Sequence, residues 1–231
     1  MDIQGSAAFV TGANRGIGLV VARALVAAGA KVYGGARDPE LVTEPGVVPV
    51  RLDVTDPASA DAAAELASDT RILVNNAGLA RPGSILTAEE ADVRRQFEVN
   101  VFGTWAVTRA FAPVLGRNGG GAVVNVLSVA SWRASQIGFG YSASKTAQWA
   151  LTNSTRLTLR EQGTLVSGVH VGFVDTDLAA AVDQAKLAPE VVAEAIVEGL
   201  RADREEILVD ELSRQVKANL SADVATMYPV G

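Results

Sequence analysis

The sequence predicts an α/β fold: one domain over residues 1–231, a doubly wound sheet of seven mainly parallel strands with helices on both faces. Two observations carry this. Short β-rich runs alternate with longer segments of helical periodicity from end to end. The chain has 231 residues, 48% of them hydrophobic, which suits a single sizeable core and excludes a disordered chain.

The elements follow in order. Ala7, Phe9 and Val10 form a short apolar run that ends in glycines. From Gly16 onward Ile17, Val20, Val21, Ala24, Leu25 and Ala28 recur at helical spacing, and Gly29 stands where a helix ends on glycine. Strands are expected at 31–35 and 47–52. Asp56-Pro57 opens a helix through Leu66, with proline in the first turn. Ile72, Leu73 and Val74 make the fourth strand. One long helical region is expected over 88–115, with Val93, Phe97, Val101, Thr104, Trp105 and Thr108 on one stripe. Three glycines at 119–121 make a turn, and 122–127 is a continuous apolar strand. A long helix is expected over 141–162 and the sixth strand over 165–171. Pro189 then opens a helix with Val192, Ala195, Ile196 and Leu200 on one face. Residues 206–209 form the seventh strand, before a short helical tail. Right-handed crossovers put the strand C-terminal ends on one edge, where a ligand binds.

Composition removes several function classes. Twenty basic residues against 26 acidic give a formal charge of -6, which argues against nucleic acid or an anionic membrane as partner. With no cysteine there are no disulfides, thiolate nucleophiles or cysteine metal sites. The single histidine, His170, argues against a histidine metal centre, so no metal is expected. Its place in the sixth strand points to structural burial. Charges such as Arg23 and Lys31 interrupt every long apolar stretch. Met1-Asp2-Ile3-Gln4 has neither a basic head nor an apolar segment, so no signal peptide and a cytoplasmic location are expected.

Thr11-Gly12-Ala13-Asn14-Arg15-Gly16-Ile17-Gly18 lies between the first strand and the first helix. Glycines there allow a tight turn and close approach of backbone to a pyrophosphate, while the helix N-terminus offers free N–H groups and partial positive charge. The spacing lacks the Gly-Lys-Ser/Thr of a triphosphate loop. A glycine turn by itself serves plain geometry as often; its position at the first strand-helix junction favours a dinucleotide through Gly12, Asn14, Arg15, Gly16, Ile17 and Gly18. The second strand runs into Arg37-Asp38. Two cations, Arg37 and Arg15, beside the adenosine ribose suit a 2′-phosphate and hence NADP(H). The other reading of Arg37 is a solvated loop charge, and Asp38 either caps a helix or weakens phosphate binding.

Tyr141-Ser142-Ala143-Ser144-Lys145 opens the long helix, and a spacing of four puts Tyr141 and Lys145 on one face. A lysine cation beside the phenol is expected to lower its pKa towards working pH, as a general acid requires. The same spacing is common on solvated helices. Ser128 follows the apolar strand at its ligand edge, and Asn75-Asn76-Ala77-Gly78 ends the fourth strand at the same edge. Asn100 lies inside a helical stretch, where asparagine competes for backbone bonds. It either bonds water or backbone near Lys145 or is a surface residue.

Taken together and in order, Thr11 to Gly18, Asp53-Val54, Asn75 to Gly78, Asn100, Ser128, Tyr141 with Lys145, and Gly172 to Thr176 resemble the short-chain dehydrogenase/reductase family over nearly the whole chain. The resemblance implies a Rossmann-like sheet binding a nicotinamide dinucleotide. It implies that Asn100, Ser128, Tyr141 and Lys145 form a catalytic tetrad. Asp53 and Val54 would contact adenine, Asn76, Ala77 and Gly78 would lie beside the cofactor, Gly172 and Val174 would meet its nicotinamide end, and Thr176 would contact the nicotinamide carboxamide or the phosphate, with Tyr141 and Lys145 touching the cofactor as well. The implied chemistry is reversible hydride transfer between nicotinamide and a carbonyl or secondary alcohol. Tyr141 would exchange the proton, Ser128 would stabilise the oxygen, Lys145 would hold the ribose and bias Tyr141, and Asn100 would position a water.

One departure stands out: where the family often has Pro-Gly after the sixth strand, this chain has Val171-Gly172, which leaves that loop freer. The short 177–186 segment implies a small or open lid and broad acceptance of carbonyl compounds. Trp132, Ile137, Phe139 and Phe173 either line an apolar pocket or pack in the core. The expected activity is that of an NADP(H)-dependent carbonyl reductase on small molecules. The alternatives are a 3-oxoacyl-thioester reductase and a non-catalytic NADP(H) sensor. A homodimer or homotetramer is implied, with Trp105, Trp149 and Leu151 either at the subunit contact or in the core.

Overall fold

The structure, a computed structural model, describes residues 1–180 and 183–228. Residues 181 and 182 of the expected lid and 229–231 at the end of the expected domain lie outside the described residues.

Seven strands form one sheet: β1 (Ala7–Thr11), β2 (Lys31–Ala36), β3 (Val47–Arg51), β4 (Thr70–Asn75), β5 (Gly121–Val126), β6 (Thr164–His170) and β7 (Glu206–Leu208). Their order is β3-β2-β1-β4-β5-β6-β7, and every pairing is parallel, where the sequence predicts only a mainly parallel sheet. The order reverses beside β1, between β1 and β4, which opens the crevice where ligands of such sheets bind.

Alternation along each strand feeds two cores. On one face Ala8 and Val10 of β1 meet Val21 and Leu25 of α1 (Gly16–Ala27) and Val192, Ile196 and Leu200 of α6 (Pro189–Arg201). On the other, Ala7 and Phe9 meet Ala60, Ala63 and Ala64 of α2 (Pro57–Leu66) and Val107, Phe111 and Leu115 of α4 (Thr104–Arg117). Asp56 caps α2 by accepting from Ala58 N, and Pro57 follows it in the first turn.

The helical region expected over 88–115 is three pieces: α3 (Glu90–Phe97), a π turn over Glu98–Gly103, and α4. The wider turn displaces the predicted stripe. Thr104 and Thr108 are buried as expected, but Trp105 faces outward under the Arg109 guanidinium, 5.4 Å from its ring centre. Two local features fit the break. Asn100 turns a fully buried side chain inward, and Gly103 packs so closely on Val54 that a β-carbon would fall 2.8 Å from its Cγ2. The helix expected from Tyr141 begins earlier, as α5 (Phe139–Leu159). The tail holds α7 (Glu211–Ala218) and α8 (Val224–Met227). Among the described residues no helix is long and apolar enough to cross a membrane.

Candidate active site

The turn after β1 is built for an anion. Gly12 and Gly16 have φ of +67° and +54°, a region that favours glycine. A β-carbon on Gly18 would collide with the Gly12 carbonyl, so α1 packs against the turn only because that residue is glycine. Arg15 precedes α1 without a side-chain cap, and no acidic residue occupies the first turn. The first N–H groups of α1 therefore stay free, with the positive end of the helix dipole behind them. This cradle fits a pyrophosphate.

Asn76 locks the cradle to β4. Its side-chain amide donates to the Thr11 carbonyl at 2.9 Å and to that of Gly12 at 3.4 Å. The Thr11 hydroxyl accepts in return from Asn76 N and Ala77 N, both at 2.9 Å. Thr176 lies against Gly16, its Cγ2 being 3.4 Å from where a β-carbon would stand. Gly12, Gly16, Gly18, Asn76, Ala77 and Thr176 are thus gathered at one place.

At the end of β2, Arg37 is exposed, while the Asp38 carboxylate accepts from Glu40 N at 3.1 Å and caps a short 3-10 turn. Asp38 is therefore engaged as a cap. The Asp53 carboxylate accepts from Thr55 N and its hydroxyl; these bonds, with the positive charges of Arg95 and Arg37, outweigh partial burial and hold it below the usual carboxylate range. Arg15 forms an exposed ion pair with Asp177 at 2.7 Å.

Four elements bring the proposed proton-transfer residues together. Ser128 lies two residues beyond β5 and caps the 3-10 turn Val129–Ser131 by accepting from Ala130 N. Its hydroxyl donates to the Val171 carbonyl at 3.5 Å and stands near the phenol of Tyr141, in the first turn of α5. Lys145, one turn on, is buried, and its ammonium stands 5.7 Å from the centre of the Tyr141 ring. Gly78, after β4, faces both Lys145 and Asn100: a β-carbon there would sit 3.9 Å from Nζ and 3.5 Å from Oδ1.

Asn100 is wholly buried, not a surface residue. Its amide donates to the Leu79 carbonyl at 2.8 Å and to the Ser144 hydroxyl at 2.9 Å, while Oδ1 accepts from Leu79 N at 2.8 Å. Ser144 passes its own proton to the Tyr141 carbonyl at 2.8 Å. Asn100 thus clamps the segment after β4 to the first turn of α5. Both its amide hydrogens are spent on protein groups, so neither is left for the water expected there.

The electrostatics differ from the expected tuning. Lys145 directs its ammonium to the Val126 carbonyl and to Gln148 Oε1, each at 2.8 Å, instead of to the phenol oxygen. Burial pushes Lys145 down to about 7. It pushes Tyr141 up to about 12 against the opposing influence of the nearby Ser128 hydroxyl. The residue Tyr141 retains partial exposure, and bulk water tempers that rise. The phenol is protonated at neutral pH in this arrangement.

The loop after β6 is held in a way the sequence does not announce. Gly172 N donates to Asp210 Oδ2 at 2.7 Å, and Asp210 Oδ1 caps α7 by accepting from Ser213 N at 2.7 Å. The stiffness expected to be lost without proline at Val171 is supplied by this carboxylate. Val174 is buried and bridges Leu187; Leu187 N donates to Phe173 O and Asp175 N to Leu187 O, both at 2.9 Å.

Of the apolar residues expected near the substrate, Trp132 belongs to the core, stacked on His170 with ring centres 3.5 Å apart and edge-on to Trp149. Ile137 and Phe173 are exposed, and Phe139 is half-buried. His170 is fully buried, and burial, helped by Lys217, Lys145 and Arg156, lowers it to about 3 against a bond to Ser128 O. It stays a neutral structural residue. Among the described residues no group of acidic and histidine side chains is placed to hold a metal.

Sequence reasoning missed Gln148, Thr104 and Asp210. Gln148 left one readable trace: a polar residue three positions after Lys145, on the same helix face. Asp210 left none, since its partner is 38 residues away.

Comparison with known proteins agrees with this geometry. A family profile described as short chain dehydrogenase matches residues 6–187. A curated relative from Mycobacterium bovis, 3-alpha-(or 20-beta)-hydroxysteroid dehydrogenase, is 34% identical over 188 residues, covering 75% of this chain and 71% of its own length. A short chain dehydrogenase from Burkholderia cenocepacia, solved with NADP, superposes with a TM-score of 0.92 at 36% identity, covering 96% of this chain and 95% of its own. A short chain dehydrogenase/reductase from Burkholderia phymatum, solved with NAD, gives 0.86 at 26% identity, with 96% and 93% covered.

Proposed function

The chain belongs to the short-chain dehydrogenase family, and from that premise we propose that it is an NADP(H)-dependent carbonyl reductase, reversible to a secondary-alcohol dehydrogenase. The observation that carries this reading is the convergence of Ser128, Tyr141 and Lys145 beside Gly78 and Asn100, at the sheet edge that also bears the glycine cradle.

When bound, the nicotinamide ring gives or takes the hydride. The rest is done by side chains. Free N–H groups at the start of α1 hold the pyrophosphate, with Asn14 and Ile17 contributing backbone at the same turn. Arg37 binds the 2′-phosphate, since Asp38 is engaged in its own cap and Asp53 is bonded to Thr55. Val54 and Asp53 flank the adenine. Arg15 joins Arg37 by leaving Asp177; an exposed ion pair of that kind is worth under about 1 kcal/mol. The NADP complex of the Burkholderia cenocepacia protein supports the same preference.

Tyr141 donates its proton to the carbonyl oxygen, and the protonated phenol is the form that reduction needs. Ser128, whose hydroxyl stands near the phenol, stabilises charge developing on that oxygen. Lys145 holds the ribose hydroxyls and sets the field at the phenol. Asn100 fixes the distance between the segment after β4 and α5. Gly172, Val174 and Thr176 shape the nicotinamide end. Exposed Ile137 and Phe173 support an apolar substrate site. Exposed Phe102 and Trp105 support a homodimer or homotetramer.

The test is a panel of ketones, aldehydes and a 3-oxoacyl thioester, followed by loss of NADPH absorbance. Turnover of simple ketones supports the reading. Turnover of the thioester alone makes the chain an acyl-thioester reductase, and tight NADPH binding without turnover makes it a sensor.

A further inference from the structure

Lys145 is buried against two partners, and one of them is unusual in being a side chain. Gln148 is itself almost completely buried, and its Oε1 lies 2.8 Å from Lys145 Nζ. A primary amide presents an acceptor on one side and donors on the other, so something must decide which side meets the ammonium.

The decision is made by Thr104, the first residue of α4. Its hydroxyl has a single proton, which it donates to the Asn100 carbonyl at 2.9 Å. Towards Gln148 it can therefore only accept, and it takes the Nε2 hydrogen at 2.8 Å. With Nε2 committed, the amide oxygen must face Lys145. The Asn100 carbonyl, the Thr104 hydroxyl, the Gln148 amide and the Lys145 ammonium form one directed chain, all in buried surroundings where such bonds are strong and an unpaired group is costly.

We propose that Gln148 is a positioning residue for Lys145: oriented by Thr104, it turns an acceptor onto the ammonium and holds that group charged and fixed beside Tyr141. The inference rests on the reading of Lys145 as part of the catalytic site and extends it to two residues outside the tetrad. An ammonium in a dry site sheds its proton unless acceptors surround it. Here the Val126 carbonyl from β5 and Gln148 from α5 supply two. Tyr141 on the same helix and the neutral imidazole of His170 on β6 are the titratable groups near it. Among the described residues no carboxylate pairs with Lys145, and Gln148 is the side chain that accepts from its ammonium.

The experiment reads the lysine directly. The chain has only four lysines, Lys31, Lys145, Lys186 and Lys217, so selective 13C labelling at Cε resolves each ammonium by NMR in the cofactor-free protein. The Lys145 signal is assigned by its loss in Lys145→Met. Gln148→Leu, similar in volume, should move its titration midpoint down by about one to two pH units, the size of one hydrogen bond to a charged group. Gln148→Glu should move it up. Thr104→Val, which frees the amide to rotate, should move it down by less than Gln148→Leu. An unchanged midpoint in Gln148→Leu, or shifts of the same sign in the Leu and Glu variants, overturns the inference. Because the readout needs neither cofactor nor substrate, its failure is distinct from failure of the reductase reading, which shows as absence of ketone turnover by the parent chain.

Discussion

The Lys145 ammonium stands 5.7 Å from the centre of the Tyr141 ring but spends two of its hydrogens elsewhere, on the Val126 carbonyl and on Gln148. A cation so placed biases the phenol through the field it exerts at the ring rather than by a direct bond to its oxygen. With burial raising the phenol more than the nearby Ser128 hydroxyl lowers it, the proton stays on Tyr141 until a carbonyl oxygen arrives to take it. That state suits reduction. Alcohol oxidation needs the phenolate, and the same burial opposes it, so oxidation should require distinctly higher pH than reduction.

The 2′-phosphate assignment turns on Arg37. Arg37→Ala should weaken NADPH by roughly 1–3 kcal/mol, the range for a lost hydrogen bond to a charged group, and leave NADH nearly unchanged. Dissociation constants for both cofactors by fluorescence titration decide it. Equal losses would remove Arg37 from the phosphate site.

Asp210 joins the loop after β6 to the start of α7. Asp210→Ala strips the cap from Ser213 N and leaves Gly172 N without its partner. We expect unfolding free energy in urea to fall by about 2 kcal/mol, with weaker NADPH binding as the loop loosens. Asp210→Ser should restore part of the stability and little of the cofactor affinity. A variant as stable as the parent would mean that the loop is held by other contacts.

His170 predicts a pH effect on stability. Its folded pKa is depressed to about 3, below the 6.5 of a free imidazole. Between those values the unfolded chain binds the proton that the folded one refuses. The stabilising contribution is therefore complete above about 6.5 and is lost progressively as pH falls towards 3. Since His170 is the only histidine, the single imidazole signal in proton NMR should stay neutral through the ordinary range near 6.5. His170→Phe should flatten the acid limb of stability. Titration of the signal at an ordinary value would show an imidazole reached by water.

Much of this was legible in the sequence because it is local. Glycine spacing at 12, 16 and 18 fixes the cradle, strand and helix periodicity fix the layers, and a spacing of four fixes Tyr141 against Lys145. Two things were not local. The π turn at Asn100 goes with side-chain bonds to Leu79 and Ser144, partners 21 and 44 residues away, so periodicity alone reads one continuous helical stripe over 88–115, and of the two places open to Trp105 the structure takes the exposed one. The direction of the Lys145 ammonium likewise depends on Thr104 and on Val126, which only the assembled sheet brings near. The expected drop in the Tyr141 pKa failed for the same reason: spacing along a helix reports neighbourhood, not burial or the direction of a donor.

The central claim is that the Tyr141 hydroxyl delivers the proton. Tyr141→Phe removes that oxygen and little else, and its measurement is steady-state NADPH oxidation with the best ketone of the panel, alongside NADPH binding. Turnover should fall by about 10²–10⁴-fold, with the cofactor dissociation constant changed by less than about threefold, well under 1 kcal/mol. Near-normal turnover with intact binding would place the proton donor on another group and contradict the account.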